Sequence, residues 1–144
     1  NVHKHEVTVT NPITRKPVDL TNFLVRFAVE KKNRLLILAH WDTREVADRD
    51  PVLANQDNPI LGANDGASGI AVLMELINIL NNNPLVNIGV DLLFVDGEDM
   101  GISGVPESFA LGTKEFANEY PKPLPYFGIG IDMVGDKNLE IEID

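Results

Sequence analysis

Three apolar runs in this chain each end in groups that can hold a metal or move a proton. Val90-Asp91-Leu92-Leu93-Phe94 leads into Val95-Asp96-Gly97-Glu98-Asp99-Met100-Gly101, Leu35-Leu36-Ile37-Leu38-Ala39 into His40-Trp41-Asp42, and Phe127-Gly128-Ile129-Gly130-Ile131 into Asp132. A hydrophobic strand that ends in carboxylates beside glycines places charge at the mouth of a sheet. Asp65, in Gly62-Ala63-Asn64-Asp65-Gly66 ahead of an apolar helix, adds a fourth segment. Oxygen and imidazole ligands converging from four segments read as a hydrolytic-type zinc site.

Each of these residues has a plainer reading. A histidine at a strand end is often an ordinary surface residue, but His40 and Asp42 are two apart in an extended segment and can point to one side. Asp42 can then fix the imidazole tautomer, as ligating histidines require, with Trp41 facing the other way. Asp65 could serve as the N-cap of the following helix; Gly62, Gly66 and Gly69 favour instead a backbone that approaches a site closely. Glu98 and Asp99 could form a solvated acidic turn. In an extended segment their side chains diverge, so that one binds metal while the other acts on substrate. Asp132 could simply start the turn toward Gly135, Asp96 reads as a turn residue, and His3 and His5, near the terminus, read as incidental.

The elements that must position these groups follow from the apolar pattern. Residues 5–10 alternate as a short strand ended by Asn11-Pro12. The Phe- and Val-rich run from Asn22 to Val29, followed by Glu30-Lys31-Lys32-Asn33, predicts a hairpin into Arg34–Ala39. The polar stretch from Trp41 to Gly62 is a long irregular loop of the kind that usually carries function. From Ala67 to Leu80 apolar residues nearly encircle a helix, which predicts burial on all but a narrow edge, and Asn81-Asn82-Asn83-Pro84 ends it. Val86–Val95 is a strand, Gly101–Leu111 a loop, Thr113–Tyr120 a short helix. Past the prolines at 121, 123 and 125, Tyr126–Met133 and Leu139–Ile143 read as strands around a turn at Gly135-Asp136-Lys137-Asn138. Strands alternating with buried helices predict an α/β sandwich with a mixed sheet.

The 144 residues, 44% of them hydrophobic, have the size of one domain, 1–144. Twelve basic against 22 acidic side chains give a formal charge of −10, which disfavours nucleic acid and anionic membranes as partners. Without cysteine, any metal must use histidine and carboxylates. No apolar stretch reaches the roughly 20 residues that span a bilayer, and a first residue of Asn1 rather than Met predicts a removed leader or upstream segment.

The ordered series Ala39-His40-Trp41-Asp42-Thr43-Arg44 with Ala47-Asp48, Pro59-Ile60-Leu61-Gly62-Ala63-Asn64-Asp65-Gly66-Ala67-Ser68-Gly69, Asp96-Gly97-Glu98-Asp99, Leu111-Gly112-Thr113-Lys114-Glu115-Phe116-Ala117 and Ile131-Asp132-Met133-Val134-Gly135 resembles the zinc aminopeptidase and glutaminyl cyclase superfamily. Within it, the chain is similar to the bacterial branch related to animal-type glutaminyl-peptide cyclotransferases. The resemblance runs from about Leu20 onward and implies a zinc-exopeptidase (phosphorylase/hydrolase-like) architecture, a mixed central sheet flanked by helices. It implies zinc bound by Asp65 and Asp99, with Glu98 as the proton-transferring base. His40 would bind the second zinc of the aminopeptidases and would not be a ligand in single-zinc cyclases. Asp132 would bind metal in the former and form a catalytic hydrogen bond in the latter. Asp42 would orient a ligand.

The implied activity is cyclisation of N-terminal glutamine on peptides with a free N-terminus, using one zinc, or else aminopeptidase hydrolysis, using two. Two departures bear on this. The family's last zinc ligand is a histidine well past the final strand, and here the only histidines are His3, His5 and His40; the Trp that often precedes the Leu-Gly motif is replaced by Ser108-Phe109-Ala110. The expectation is therefore a partial domain, completed by a further C-terminal segment or associating with a second copy, or else an inert or structural fragment. By analogy with exported relatives, an extracytoplasmic location is expected.

Overall fold

The computed structural model describes residues 1–141. Its elements are β1 (Val2–Thr10), β2 (Pro17–Phe27), β3 (Arg34–His40), α1 (Ala67–Asn82), β4 (Gly89–Val95), α2 (Leu111–Glu119) and β5 (Phe127–Gly130), with single 3-10 turns at Leu53–Asn55 and Pro106–Ser108. The strands form one mixed sheet in the order β1-β2-β4-β3-β5, as the alternation of strands and helices predicts. Antiparallel pairing joins β1 to β2 and β2 to β4, whereas β3 is parallel to both β4 and β5. Because β3, β4 and β5 run the same way, the residues that follow their last positions gather along one edge of the sheet. That edge is where ligands bind in open α/β sheets.

The predicted hairpin between Asn22–Val29 and Arg34–Ala39 does not form. Strand β4 lies between them, bonded to β2 on one side and β3 on the other. Six connecting residues are enough to cross one intervening strand, a span of about 10 Å between strands spaced about 4.8 Å apart. Strand composition reports the elements without reporting their partners. The buried charges do report them: fully buried Asp91 on β4 accepts bonds from Arg34 Nη2 at 2.6 Å and Nε at 3.0 Å, and from Arg26 Nε at 3.0 Å. Tyr120 Oη donates to the same carboxylate at 2.8 Å. Burial alone would push Asp91 up, but the two guanidinium groups and the phenol outweigh it and hold the carboxyl below its usual range.

Two apolar layers sandwich the sheet. Leu24, Leu93, Val95 and Phe116 pack on the α2 face, and Ala39, Leu73, Val90 and Leu92 on the α1 face. Gly69 lets α1 lie close to β3, because a Cβ there would stand 2.7 Å from Ile131 O and 2.9 Å from Ala39 Cβ. Contrary to the sequence expectation, α1 is not buried nearly all round. Leu73 and Gly69 are buried, while Val72, Met74 and Ile79 on the outer face are exposed, Met74 at 59%. No second layer covers that face among the described residues. The last strand is shorter than predicted: β5 ends at Gly130, and residues 139–141 are irregular. The remainder of the predicted Leu139–Ile143 strand lies outside the described residues. Among the described residues no helix is long and apolar enough to cross a membrane.

Candidate metal centre

His40 closes β3 and is 4% exposed. Its Nε2 lies 3.1 Å from Asp65 Oδ1 and 3.2 Å from Asp132 Oδ1, and its Nδ1 lies 3.1 Å from the backbone oxygen of Asp42. Two sets of possible ligand atoms share this imidazole, His40 with Asp65 and Asp132, and His40 with Glu98 and Asp99; within each set the atoms lie within 4.8 Å of one another. All five site residues singled out in the sequence therefore converge.

The loops that bring them together are held by backbone polar groups. Asp65 does not cap α1: the N-cap position is Gly66, at φ 91°, and no side chain caps that end. Gly66 is needed because a Cβ would collide with the Asp42 carbonyl. Ser68 Oγ donates to Asn64 O at 2.5 Å and accepts from Val134 N at 3.0 Å, and Asn64 Oδ1 accepts from Gly135 N at 2.7 Å. These bonds pin the loop carrying Asp132 to the loop carrying Asp65. Asn64 and Ser68 carried no assigned role in the sequence reading; small polar residues at a helix start have too many local uses to stand out.

Glu98 and Asp99 do not diverge as an extended segment would require. Gly97, at φ 67°, turns the chain after β4. Asp42 then accepts from Glu98 N through Oδ1 and from Asp99 N through Oδ2, both at 3.0 Å. The Asp42 carboxylate thus orients the acid pair by holding the amides of Glu98 and Asp99, and it stands 3.6 Å from His40 Nδ1, beyond a good hydrogen bond. Asp96 is a turn residue as expected, with its carboxylate accepting from Gly97 N and Thr21 N at 2.9 Å. Trp41 turns away from the site and donates its indole N–H to Thr21 O at 3.0 Å. His5 is a buried sheet residue whose Nδ1 meets Asn22 Nδ2 at 3.1 Å, outside the site.

Burial, followed by the charge of Asp99, pushes the Glu98 carboxyl up to about 7, against the lowering pull of His40. Asp99 is raised too, first by burial and then by Asp65. The Asp42 carboxylate, ahead of Asp132, holds the His40 imidazolium up to about 10 although burial opposes it. Asp42 itself would be raised by burial, but His40 and the two amides hold it below its usual value. So many carboxylates around one imidazole form a site that favours a cation.

One atom argues directly for a metal. Asp99 Oδ2 is buried and has no hydrogen-bond partner among the described residues, a costly condition unless a cation takes the lone pair. The donors are one imidazole and carboxylate oxygens, a set that suits zinc.

Comparison with known proteins agrees. The sequence matches peptidase family M28 over residues 22–143, so the chain belongs to this family. Among solved structures, it is similar to a glutaminyl cyclase from Bacteroides thetaiotaomicron bound to N-acetylhistamine, with 33% identity over 96% of this chain and 49% of that one and a TM-score of 0.89. A leucine aminopeptidase precursor from the same organism matches with 34% identity over 96% of this chain and 50% of that one, TM-score 0.88. A Zn-dependent exopeptidase from Parabacteroides distasonis matches with 33% identity, 96% and 49% coverage and a TM-score of 0.87. Comparison with curated proteins gives no match. The chain spans about half the length of each of these structures, with the fold of a glutaminyl cyclase or zinc exopeptidase domain and an incomplete share of it.

Proposed function

We propose that this chain carries the zinc-binding and proton-transferring groups of an enzyme that cyclises N-terminal glutamine on peptides to pyroglutamate, releasing ammonia. The observation that carries the reading is that Glu98 and Asp132 face one cavity of about 230 Å³, together with His40 and the apolar walls of Leu38, Val95 and Ile131. A space of that size suits one terminal side chain folded back on its own amine. Asp65 and Asp99 would hold the zinc. When bound, zinc supplies Lewis-acid polarisation of the γ-carboxamide oxygen.

Glu98 takes a proton from the attacking α-amine as the new N–C bond forms, then delivers it to the departing ammonia as the old C–N bond breaks. A carboxyl held near 7 suits both halves of that transfer. Asp132, whose Oδ1 already meets His40, would accept a hydrogen bond from the attacking α-amine and so orient the proton that Glu98 moves. Replacing Glu98 with Gln should lower glutaminyl cyclisation by on the order of 10²–10⁴-fold while leaving zinc bound; full turnover by Glu98→Gln would contradict the assignment of the base.

A second reading is favoured by a specific feature, the sharing of His40 between two ligand sets. Two zinc ions held by His40, Asp65, Asp99 and Asp132, with Glu98 activating water, would give an aminopeptidase. Two zinc ions per chain together with release of amino acids from peptide N-termini would establish it, and one zinc with ammonia release would establish the cyclase. In either case the substrate is a peptide with a free N-terminus, the setting extracytoplasmic, and the domain completed by a further C-terminal segment or a second copy.

A further inference from the structure

We propose that Arg44 is a positioning residue that locks the loop carrying Glu98 and Asp99, and so sets the aim of the Asp99 carboxylate. Its role presupposes zinc ligation by Asp99, as proposed above. The backbone of the acid pair is anchored on several sides. Asp42 holds the two N–H groups, and Ala110 N donates to Glu98 O at 2.9 Å. Arg44 supplies the remaining anchor, with Nη1 donating to Asp99 O at 2.9 Å and to Gly101 O at 3.0 Å.

The guanidinium is itself fixed. Its other edge makes a two-bond pair with Asp48, Nε to Oδ1 at 2.7 Å and Nη2 to Oδ2 at 2.6 Å. Its centre lies 5.5 Å from the centroid of the Phe109 ring, and that ring packs directly on Gly101. Five donors in a rigid plane serve two carbonyls and a carboxylate at once while stacking on an aromatic face. An ammonium offers a point charge and cannot span the same set.

What makes this more than a structural ion pair is the unpartnered Asp99 Oδ2. Among the described residues no protein donor holds that oxygen, so its direction depends on how firmly the backbone is anchored. A residue two positions after Asp42 thus completes a clamp in which one side chain binds the amides and the other the carbonyl. Partners of this kind, once removed, typically cost 10–100-fold in metal affinity.

The test is zinc affinity of the 144-residue chain, measured by competition with a chromophoric chelator, alongside the thermal stability of each zinc-free variant. Arg44→Lys should bind zinc on the order of 10–100-fold more weakly. Arg44→Ala should weaken binding at least as much and recover part of it in millimolar methylguanidinium, which can refill the fork. A folded Arg44→Lys or Arg44→Ala chain that binds zinc as tightly as the wild type would overturn the proposal, even if its melting temperature fell. If Arg44→Ala does not fold, Arg44→Lys decides alone. Failure of the wild type to bind zinc, or an unchanged affinity in Asp65→Ala, would instead sink the metal reading and Arg44's role with it.

Discussion

In the proposed cyclisation Glu98 is the residue on which the chemistry would turn, because a base must lose its proton before it can take one. With the carboxyl raised to about 7 by burial and by Asp99, the working form is populated above that value and lost below it. Activity should therefore rise with pH through about 7, and the pH–rate profile of wild type and Glu98→Asp checks it; an acid limb near the ordinary glutamate value of about 4.3 would contradict the burial argument. At this scale most of the site was legible. His40, Asp65, Glu98, Asp99 and Asp132 stand at strand ends or beside glycines, where backbone geometry forces them together. Less legible were the groups that aim them. Asp42 looked like a partner for His40 because spacing reveals side-chain direction, whereas its bonds to the amides of Glu98 and Asp99 depend on a turn at Gly97. Arg44 and Asp48 stand in the motif series with no role of their own, since nothing in their spacing points to a carbonyl more than fifty residues on.

At the scale of elements, parallel β3, β4 and β5 deliver their following residues to one edge, and that much follows from three apolar runs each ending in polar groups. Which strands pair does not follow, and the failed hairpin shows why: Phe and Val in β2 satisfy any neighbour, while the choice of β4 is fixed by Asp91 between Arg26 and Arg34. The folded-state value of Asp91 lies below that of the unfolded chain, near 3.9. Its stabilising contribution is thus fully present above about pH 4 and is lost as the pH falls through the folded value. Asp91→Asn should lack that acid limb and, by leaving the buried Arg34 guanidinium and the partly buried Arg26 one without their carboxylate, should be less stable at neutral pH by about 3–5 kcal/mol; urea titrations at pH 7 and pH 3 measure both effects. Gly69 is a second element-level test. A methyl there must push α1 off Ala39 and the Ile131 carbonyl, so Gly69→Ala should cost about 1–3 kcal/mol, although alanine favours helix elsewhere.

Across the whole molecule, the apolar groups left open to solvent include one edge of the sheet and one face of a helix. All four residues of β5 are exposed, Phe127 at 57%, and the outer face of α1 shows Met74 and Ile79 to solvent. The sequence reading expected a nearly buried helix there, because apolar periodicity reports which faces want cover and not what is present to cover them. An exposed apolar edge strand invites pairing, so the chain is expected to self-associate. Ile129→Lys, which puts charge on that edge, should shift sedimentation toward the monomer; an equally associated variant would place the contact elsewhere. Whether half a domain's length gathers enough zinc donors around His40 is decided by zinc stoichiometry and affinity measured on the purified chain and on Asp65→Ala. Tight binding by the wild type that Asp65→Ala abolishes is expected. No binding by the wild type, or equal binding by both, would contradict it.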